Sequence, residues 1–384
     1  MADTSAAKLR IGLNALLLST SQATYRSAGI HNYMSGLLPH LPAADERFAY
    51  TAYVAGDQPG LNGAMQQRLS GRAANHPVAR IAWEQFVQPV VSLRERVDLL
   101  HAMAFVSPLA APLPQIVTVY DLSFRRLPRR FHPNRRAYLS MFTRLSCRRA
   151  RRVIAISEHT RRDVATEFGI HPDRIDVVYP GCDPVFRRAP ADEVGAFRER
   201  RGLPDKFILY LGTIEPRKNL STLITAFAKL RARGIKLICA GGRGWMFEDV
   251  FQTVEELHLS RDVIFPGFVP REELPLWYSA ARVFVYPSSY EGFGIPVLEA
   301  MACGVPTITT NASSLPEVAG ETARMVDPGD SDALAHALHE LLHDDALRAQ
   351  LSAAGPARAR LFTWEEAAHL TTRSYARALR LPTR

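Results

Sequence analysis

Ser289-Tyr290-Glu291-Gly292-Phe293-Gly294-Ile295-Pro296-Val297-Leu298-Glu299-Ala300-Met301 follows directly on an apolar run, Arg282-Val283-Phe284-Val285-Tyr286-Pro287. A short apolar β-branched and aromatic run, then glycines, then proline at the head of an apolar segment, predicts a buried strand that turns sharply into a helix. Gly292 and Gly294 permit a tight turn with exposed amides, and Pro296 suits a first helical turn. The N-terminus of such a helix offers N–H groups and partial positive charge to a diphosphate or a sugar hydroxyl. Glu291 and Glu299, before and inside that helix, are too far apart for a capping box and suited to accept hydrogen bonds from sugar and ribose hydroxyls.

The same grammar recurs upstream. Phe207-Ile208-Leu209-Tyr210-Leu211 runs into Gly212-Thr213-Ile214-Glu215-Pro216-Arg217-Lys218-Asn219, which places two cations where a strand opens into a helix. Lysine is scarce here, five of 47 basic residues, so Lys218 beside Arg217 stands out as a candidate diphosphate site. Gly241-Gly242-Arg243-Gly244 follows the run KLICA, and Gly267-Phe268-Val269-Pro270 follows VIFP. Parallel sheets bind ligands at the carboxyl ends of their strands, so these four strand ends predict one nucleotide-binding edge on one sheet. Its candidate donor-binding residues are Gly212, Arg217, Lys218, Gly241, Phe268, Val269, Glu291, Gly292, Phe293, Gly294, Ile295 and Glu299.

Working outward, strand-like and helix-like segments alternate along the whole chain, which predicts an α/β protein with parallel sheets covered by helices. In the first half the strand candidates are LRIGLNAL, FAYTAYVA, DLLHAM, QIVTVYDL, RVIAIS and DVVYPG. The helices expected among them are His31–Leu41, Trp83–Arg94, Asn134–Ala150 and Glu158–Phe168. A length of 384 residues exceeds one ordinary core and suits two domains. The expected division is residues 1–180, a linker at 181–204 rich in proline, glycine and mixed charge, 205–363, and a final helical segment 364–384.

No apolar run approaches the roughly 20 residues needed to cross a bilayer. The N-terminus lacks the positive charge of a signal peptide, so a cytoplasmic protein is expected. Cys147, Cys182, Cys239 and Cys303 are scattered singly, against both a disulfide framework and a zinc site. The formal charge of +9 lies in the first half, where residues 1–180 hold 23 Lys+Arg against 13 Asp+Glu. Eleven arginines fall between Ser123 and Arg152 without one acidic residue. Such a face suits an anionic bilayer surface or a lipid diphosphate. It lacks the interleaved aromatics of nucleic-acid binding.

The run EGFGIPVLE resembles the E-x7-E motif of retaining GT-B glycosyltransferases of family 4, the glycosyl transferases group 1. FILYLGTIEPRKNLSTLITAF and the stretch from PGFVPREEL to MVDPGD are similar to that family over about 120 residues. The resemblance implies two Rossmann-like domains facing across a cleft, with the C-terminal helix crossing back to the N-terminal domain. It implies that Glu291 contacts the donor hexose, Glu299 the ribose, the amides of Phe293 to Ile295 sugar and phosphate, and Arg217 and Lys218 the diphosphate. In the first half it is looser: Gly29 in the loop Ser27–Ile30 would approach the donor phosphate, and His101 would stand near the reacting sugar carbon.

Asp121 and Ser157 are acceptor-side candidates, although many relatives read His-Asp where this chain has Tyr120-Asp121. With Glu291, Arg217 and Lys218, His101 completes the expected catalytic set. No DxD or metal-ligand cluster is present in the sequence, so metal-independent transfer with no cofactor is expected. The stretch DLSFRRLP has a mannosyltransferase-like look and points to GDP-mannose as donor, with a UDP-sugar or a rhamnosyl donor also open. A lipid-linked glycan of a surface polysaccharide or O-antigen is the expected acceptor. The competing readings are a non-catalytic GT-B nucleotide-sugar-binding subunit and a GT-B epimerase or phosphorylase.

Overall fold

The computed structural model of the protein describes residues 7–18, 28–71, 76–128, 131–230 and 234–383. The chain divides into two compact units, Met1–Gly181 with Thr363–Arg384, and Cys182–Phe362.

Unit 1 holds seven strands: β1 (Leu9–Asn14), β2 (Phe48–Val54), β3 (Gln66–Leu69), β4 (Leu99–Ala102), β5 (Gln115–Val119), β6 (Arg152–Ala155) and β7 (Ile175–Val177). All pair in parallel, in the order β3-β2-β1-β4-β5-β6-β7. Unit 2 holds β8 (Phe207–Leu211), β9 (Lys236–Ala240), β10 (Val263–Gly267), β11 (Val283–Tyr286), β12 (Thr307–Thr310) and β13 (Arg324–Val326). These too are parallel, in the order β10-β9-β8-β11-β12-β13. Each order is that of a doubly wound sheet, which reverses direction between two neighbouring strands and binds ligands at that switch point. The reversal lies between β1 and β4 in unit 1 and between β8 and β11 in unit 2. Central strands such as β5 and β11 are buried along their whole length, as strands covered on both faces must be.

Several elements depart from the sequence reading. β3 is a polar edge strand, Gln-Gln-Arg-Leu, and β13 is three residues long, so neither carries the apolar run that marks a parallel strand. Within the stretch read as a linker, Ala191–Arg201 is a helix capped by Gly202 in the left-handed region, with Phe197 buried against Trp277. It belongs to unit 2. The helix expected from Trp83 begins at Pro77 and runs to Arg94 through a π turn at Trp83–Val87. The helix expected over His31–Leu41 is present and longer, running from Ala28–Leu37 through a 3-10 turn at Leu38–His40 to Leu41–Ala44.

The helix Trp364–Leu379 packs within unit 1. Arg377 Nη1 lies 2.5 Å from Asp176 Oδ1 beside Arg152, and Arg151 donates to the Ala378 carbonyl at 2.8 Å. Its Trp364 ring packs edge-on to Tyr33. Among the described residues no helix is long and apolar enough to cross a membrane.

Candidate functional site

Two loops leave the carboxyl ends of β8 and β11, the neighbours at the switch point of unit 2. The first turns through a 3-10 segment, Pro216–Lys218, to Asn219 in the left-handed region and enters the helix Leu220–Leu230. The second passes Ser288 to Gly294 and enters the helix Ile295–Ala302. Backbone bonds lock them together: Ser289 N donates to the Arg217 carbonyl at 2.8 Å, and Ser288 Oγ to the same oxygen at 3.0 Å. From the β12 side, Ser313 Oγ accepts from Glu291 N, and Ser314 Oγ donates to the Glu291 and Phe293 carbonyls.

This framework brings Arg217, Lys218 and Glu291 into contact. Arg217 Nη1 is 2.9 Å from Glu291 Oε2, and its Nε binds Glu215. Lys218 Nζ is 2.5 Å from Glu291 Oε1, which also accepts from Ser288 Oγ at 2.6 Å and Tyr286 OH at 3.1 Å. The ammonium binds the Tyr286 hydroxyl and lies 4.8 Å from the ring centroid, a cation–π contact. Burial pushes the Glu291 carboxyl up, but Arg217 and Lys218 outweigh it and hold the group at about 2. Burial and the like charge of Arg217 draw the Lys218 ammonium below the usual lysine range, against the pull of Glu291 and Glu215. Glu291 is ionised at neutral pH, and that charge is what keeps a lysine buried here.

Glu299 stands in the second turn of the helix Ile295–Ala302. Its Oε2 accepts from Tyr278 OH at 3.0 Å, and among the described residues no donor meets Oε1. Burial raises it to about 7; Arg271 and Tyr278 oppose that rise, and Asp183 adds to it. Gly294 heads the helix at φ +113 with no side-chain cap; Val297 N and Leu298 N donate to the Gly294 carbonyl and Pro296 has no N–H, so in the first turn the Ile295 N–H is the one without an intrahelical acceptor. Gly241, at φ +142, lies so close to Gly212 that a Cβ would come 2.1 Å from its carbonyl oxygen. Phe268 is 57% exposed at the end of β10, with Val269 half-buried beside it. The structure thus gathers the unit 2 candidates along one sheet edge. Sequence reasoning missed Glu215, Tyr286, Ser288, Ser313 and Tyr278, which lie outside any recognisable spacing. Their only signal is a position at or just after a strand end or in a facing helix.

The unit 1 candidates differ. His101 is wholly buried in the middle of the sheet, its Nδ1 2.8 Å from Tyr375 OH and its Nε2 2.8 Å from Thr118 Oγ1. Burial pushes the imidazole down to about 3, so it is neutral and fully partnered. In this structure both ring nitrogens serve the core. Ser157 is likewise buried, its hydroxyl accepting from Thr160 N and donating to Thr160 Oγ1 as the cap of the helix Glu158–Phe168. Asp121 Oδ1 accepts from Ser123 N and Oγ, fastening the turn after β5. Gly29 lies in the first turn of the helix Ala28–Leu37, rather than in a loop, with open space where a Cβ would stand. Ser27 lies outside the described residues.

The arginine run is also less free than its composition indicates. Arg125 and Arg126 pair with Glu167 and Asp163, Arg152 with Asp176, and Arg149 and Arg151 bond backbone carbonyls. Arg136, Arg144 and Arg148 are exposed on the helix Pro133–Arg149, while Arg129 and Arg130 lie outside the described residues.

Residues 195–358 match the family described as Glycosyl transferases group 1, and residues 42–186 match Glycosyltransferase Family 4. The chain is 36% identical over 266 residues to the O-antigen chain mannosyltransferase B of Escherichia coli, covering 68% of this chain and 69% of that one. The chain belongs to the family 4 glycosyltransferases. This glycosyltransferase is also 34% identical over 238 residues to the serotype-specific mannosyltransferase WbdA of Escherichia coli, covering 60% of this chain and 29% of WbdA. Among solved structures, Anabaena HepE in complex with UDP and glucose superimposes with a TM-score of 0.74 over 96% of this chain and 99% of that one, at 20% identity. Sucrose-phosphate synthase from Thermosynechococcus elongatus does so with a TM-score of 0.75 over 96% and 98%, at 21% identity. These likenesses show the GT-B glycosyltransferase fold.

Proposed function

We propose that this glycosyltransferase moves mannose from GDP-mannose to a lipid-linked glycan in O-antigen or related surface polysaccharide synthesis, with retention of anomeric configuration and without a metal ion or other cofactor. The observation that carries the reading is the Arg217–Lys218–Glu291 cluster at the switch point, beside the uncapped N-terminus of the helix Ile295–Ala302. The mannosyl and O-antigen parts rest on the likeness to the two Escherichia coli mannosyltransferases.

A donor diphosphate would take hydrogen bonds from Arg217, Lys218 and the Ile295 N–H at the helix head, replacing part of what Glu291 now supplies to the two cations. Glu291 then turns its oxygens toward hexose hydroxyls, and Oε1 of Glu299 accepts from the ribose. As the bond between the sugar carbon and the phosphate oxygen breaks, negative charge grows on the leaving diphosphate, where fixed cations and helix amides stabilise it most. The acceptor oxygen bonds to the same face of that carbon, and its proton passes to the leaving phosphate oxygen, giving GDP and the extended glycan. No side chain of unit 1 is assigned as a base. The exposed arginines of the helix Pro133–Arg149 suit a peripheral position on the anionic cytoplasmic leaflet, where a lipid-linked acceptor resides.

The test is a thermal-shift comparison of GDP, UDP, dTDP and their sugars in the presence of a chelator, followed by transfer to a lipid-linked mannoside and NMR of the new linkage. A ligand that binds the native state raises the melting temperature. Stabilisation by GDP and an α-mannosyl product are expected. Stabilisation by UDP alone, or a β-linked product, would overturn the donor or the stereochemical assignment.

A further inference from the structure

The helical stretch Pro77–Arg94 turns an apolar ridge outward. Val78, Ala82, Phe86, Val90 and Leu93 recur at helical spacing and are all exposed, Val78 by 69% and Phe86 by 76%. At 1.5 Å per residue the ridge is about 20 Å long. Ordinary surface helices of soluble proteins turn such a stripe inward, and an unbroken exposed one marks a contact surface. The inward face is mixed: Trp83 and Val91 pack against the core around Tyr53 and Leu100, while Glu84, Gln88, Pro89 and Ser92 are buried beside them.

Charge identifies what covers the ridge. Glu84 is the one acidic residue of the stretch; it is buried 3.9 Å from Arg80, and burial raises it to about 7. The neighbouring helix Pro133–Arg149 carries no acidic residue and exposes Met141 and Leu145 with Arg144 and Arg148. The two are adjacent: Tyr138 of that helix feels the charges of Glu84 and Arg80, and Gln85 and Ser146 both bond Ser107. An apolar ridge flanked by arginines without exposed carboxylates complements the headgroups and upper acyl region of an anionic bilayer. Two copies of the same basic face would repel each other.

We propose that the ridge Val78–Leu93 inserts into the surface of an anionic membrane, with the arginines of the adjacent helix binding the headgroups. This builds on the peripheral location proposed above and adds the element that enters the lipid. The sequence hid it, because the alternation that predicts an amphipathic helix does not say which face looks inward.

Co-sedimentation of the full chain with vesicles tests it. Wild type should bind vesicles containing phosphatidylglycerol and bind phosphatidylcholine vesicles far less. Phe86→Ser with Val90→Ser should weaken the partition by about ten-fold or more, since each substitution removes apolar surface from lipid. Arg144→Gln with Arg148→Gln should weaken binding and reduce its dependence on salt. All four side chains are exposed, so folding is retained, and GDP stabilisation in the thermal-shift assay should be unchanged. The Phe86/Val90 variant binding vesicles like wild type would overturn the proposal, as would failure of wild type to bind phosphatidylglycerol, or a concentration-dependent dimer that these substitutions abolish. Because vesicle binding needs no sugar transfer, its loss and the loss of nucleotide binding are separate results.

Discussion

Lys218 Nζ lies 2.5 Å from Glu291 Oε1, both side chains nearly sealed from solvent, and Arg217 closes the other side of the same carboxylate. The cluster is an electrostatic cradle whose anion is at present supplied by the protein.

Glu291→Gln should destabilise unit 2 at neutral pH by on the order of 3 kcal/mol, because Lys218 would be left buried without its counter-charge. Glu291 is held below the 4.5 of an unperturbed glutamate, at about 2. Its contribution is therefore fully present above pH 4.5 and drains away as the pH falls toward 2. Thermal melts of wild type and variant should differ most near pH 7 and converge only as the pH approaches 2. A constant difference across that range would contradict the ion cluster.

For Glu299 the direction reverses. Its folded value, about 7, lies above that of the unfolded chain, so its stabilisation is complete below pH 4.5 and lost as the pH rises through 7. Glu299→Gln should gain on wild type in melting temperature between pH 5 and pH 8. If ribose hydroxyls donate to this carboxylate, nucleotide affinity of wild type should rise over pH 6 to 8, with Arg271, Tyr278 and Asp183 setting the midpoint. The Gln variant should show no such rise, as calorimetry at several pH values would register.

His101→Phe should cost about 1–3 kcal/mol for each stranded hydroxyl, those of Tyr375 and Thr118. The imidazole's folded value of about 3 lies below the ordinary 6.5, so its contribution is present above pH 6.5 and lost as the pH falls toward 3. The melting-temperature difference between wild type and His101→Phe should shrink over that interval. GDP binding at neutral pH should be unchanged, since the substitution acts within unit 1.

Gly241→Ala forces a Cβ to within 2.1 Å of the Gly212 carbonyl at a backbone angle that L-residues avoid. Several degrees of lost thermal stability and weakened nucleotide binding are expected. Gly29→Ala, with open space around its Cβ, should leave stability unchanged or raise it, because alanine favours the helix it sits in.

What was legible in the sequence follows from how each feature is encoded. The strands β8 and β11 are continuous apolar runs ending in glycine-bearing loops, so the switch-point edge and its Arg217, Lys218, Glu291 and Glu299 could be read directly. β3 and β13 escaped because short or polar edge strands carry no periodic signal. The helix Ala191–Arg201 hid among charges and a glycine, its one large buried anchor being Phe197. The partner of His101 could not be read, because a histidine in an apolar strand looks alike whether it faces a ligand or Tyr375, which is 274 residues away in sequence. The pairing of part of the arginine run was equally hidden, since partners such as Glu167, Asp163 and Asp176 are supplied by segments outside it.

The central claim is that the cluster at β8 and β11 receives a nucleoside diphosphate. Isothermal titration of GDP, with chelator present, into wild type and Arg217→Gln tests it most directly, because Arg217 is the more accessible of the two cations. Loss of a charge-assisted contact of about 1.5–3 kcal/mol should weaken GDP binding by at least ten-fold in a variant that melts cooperatively. Equal affinity of wild type and variant would contradict the account and move the diphosphate elsewhere.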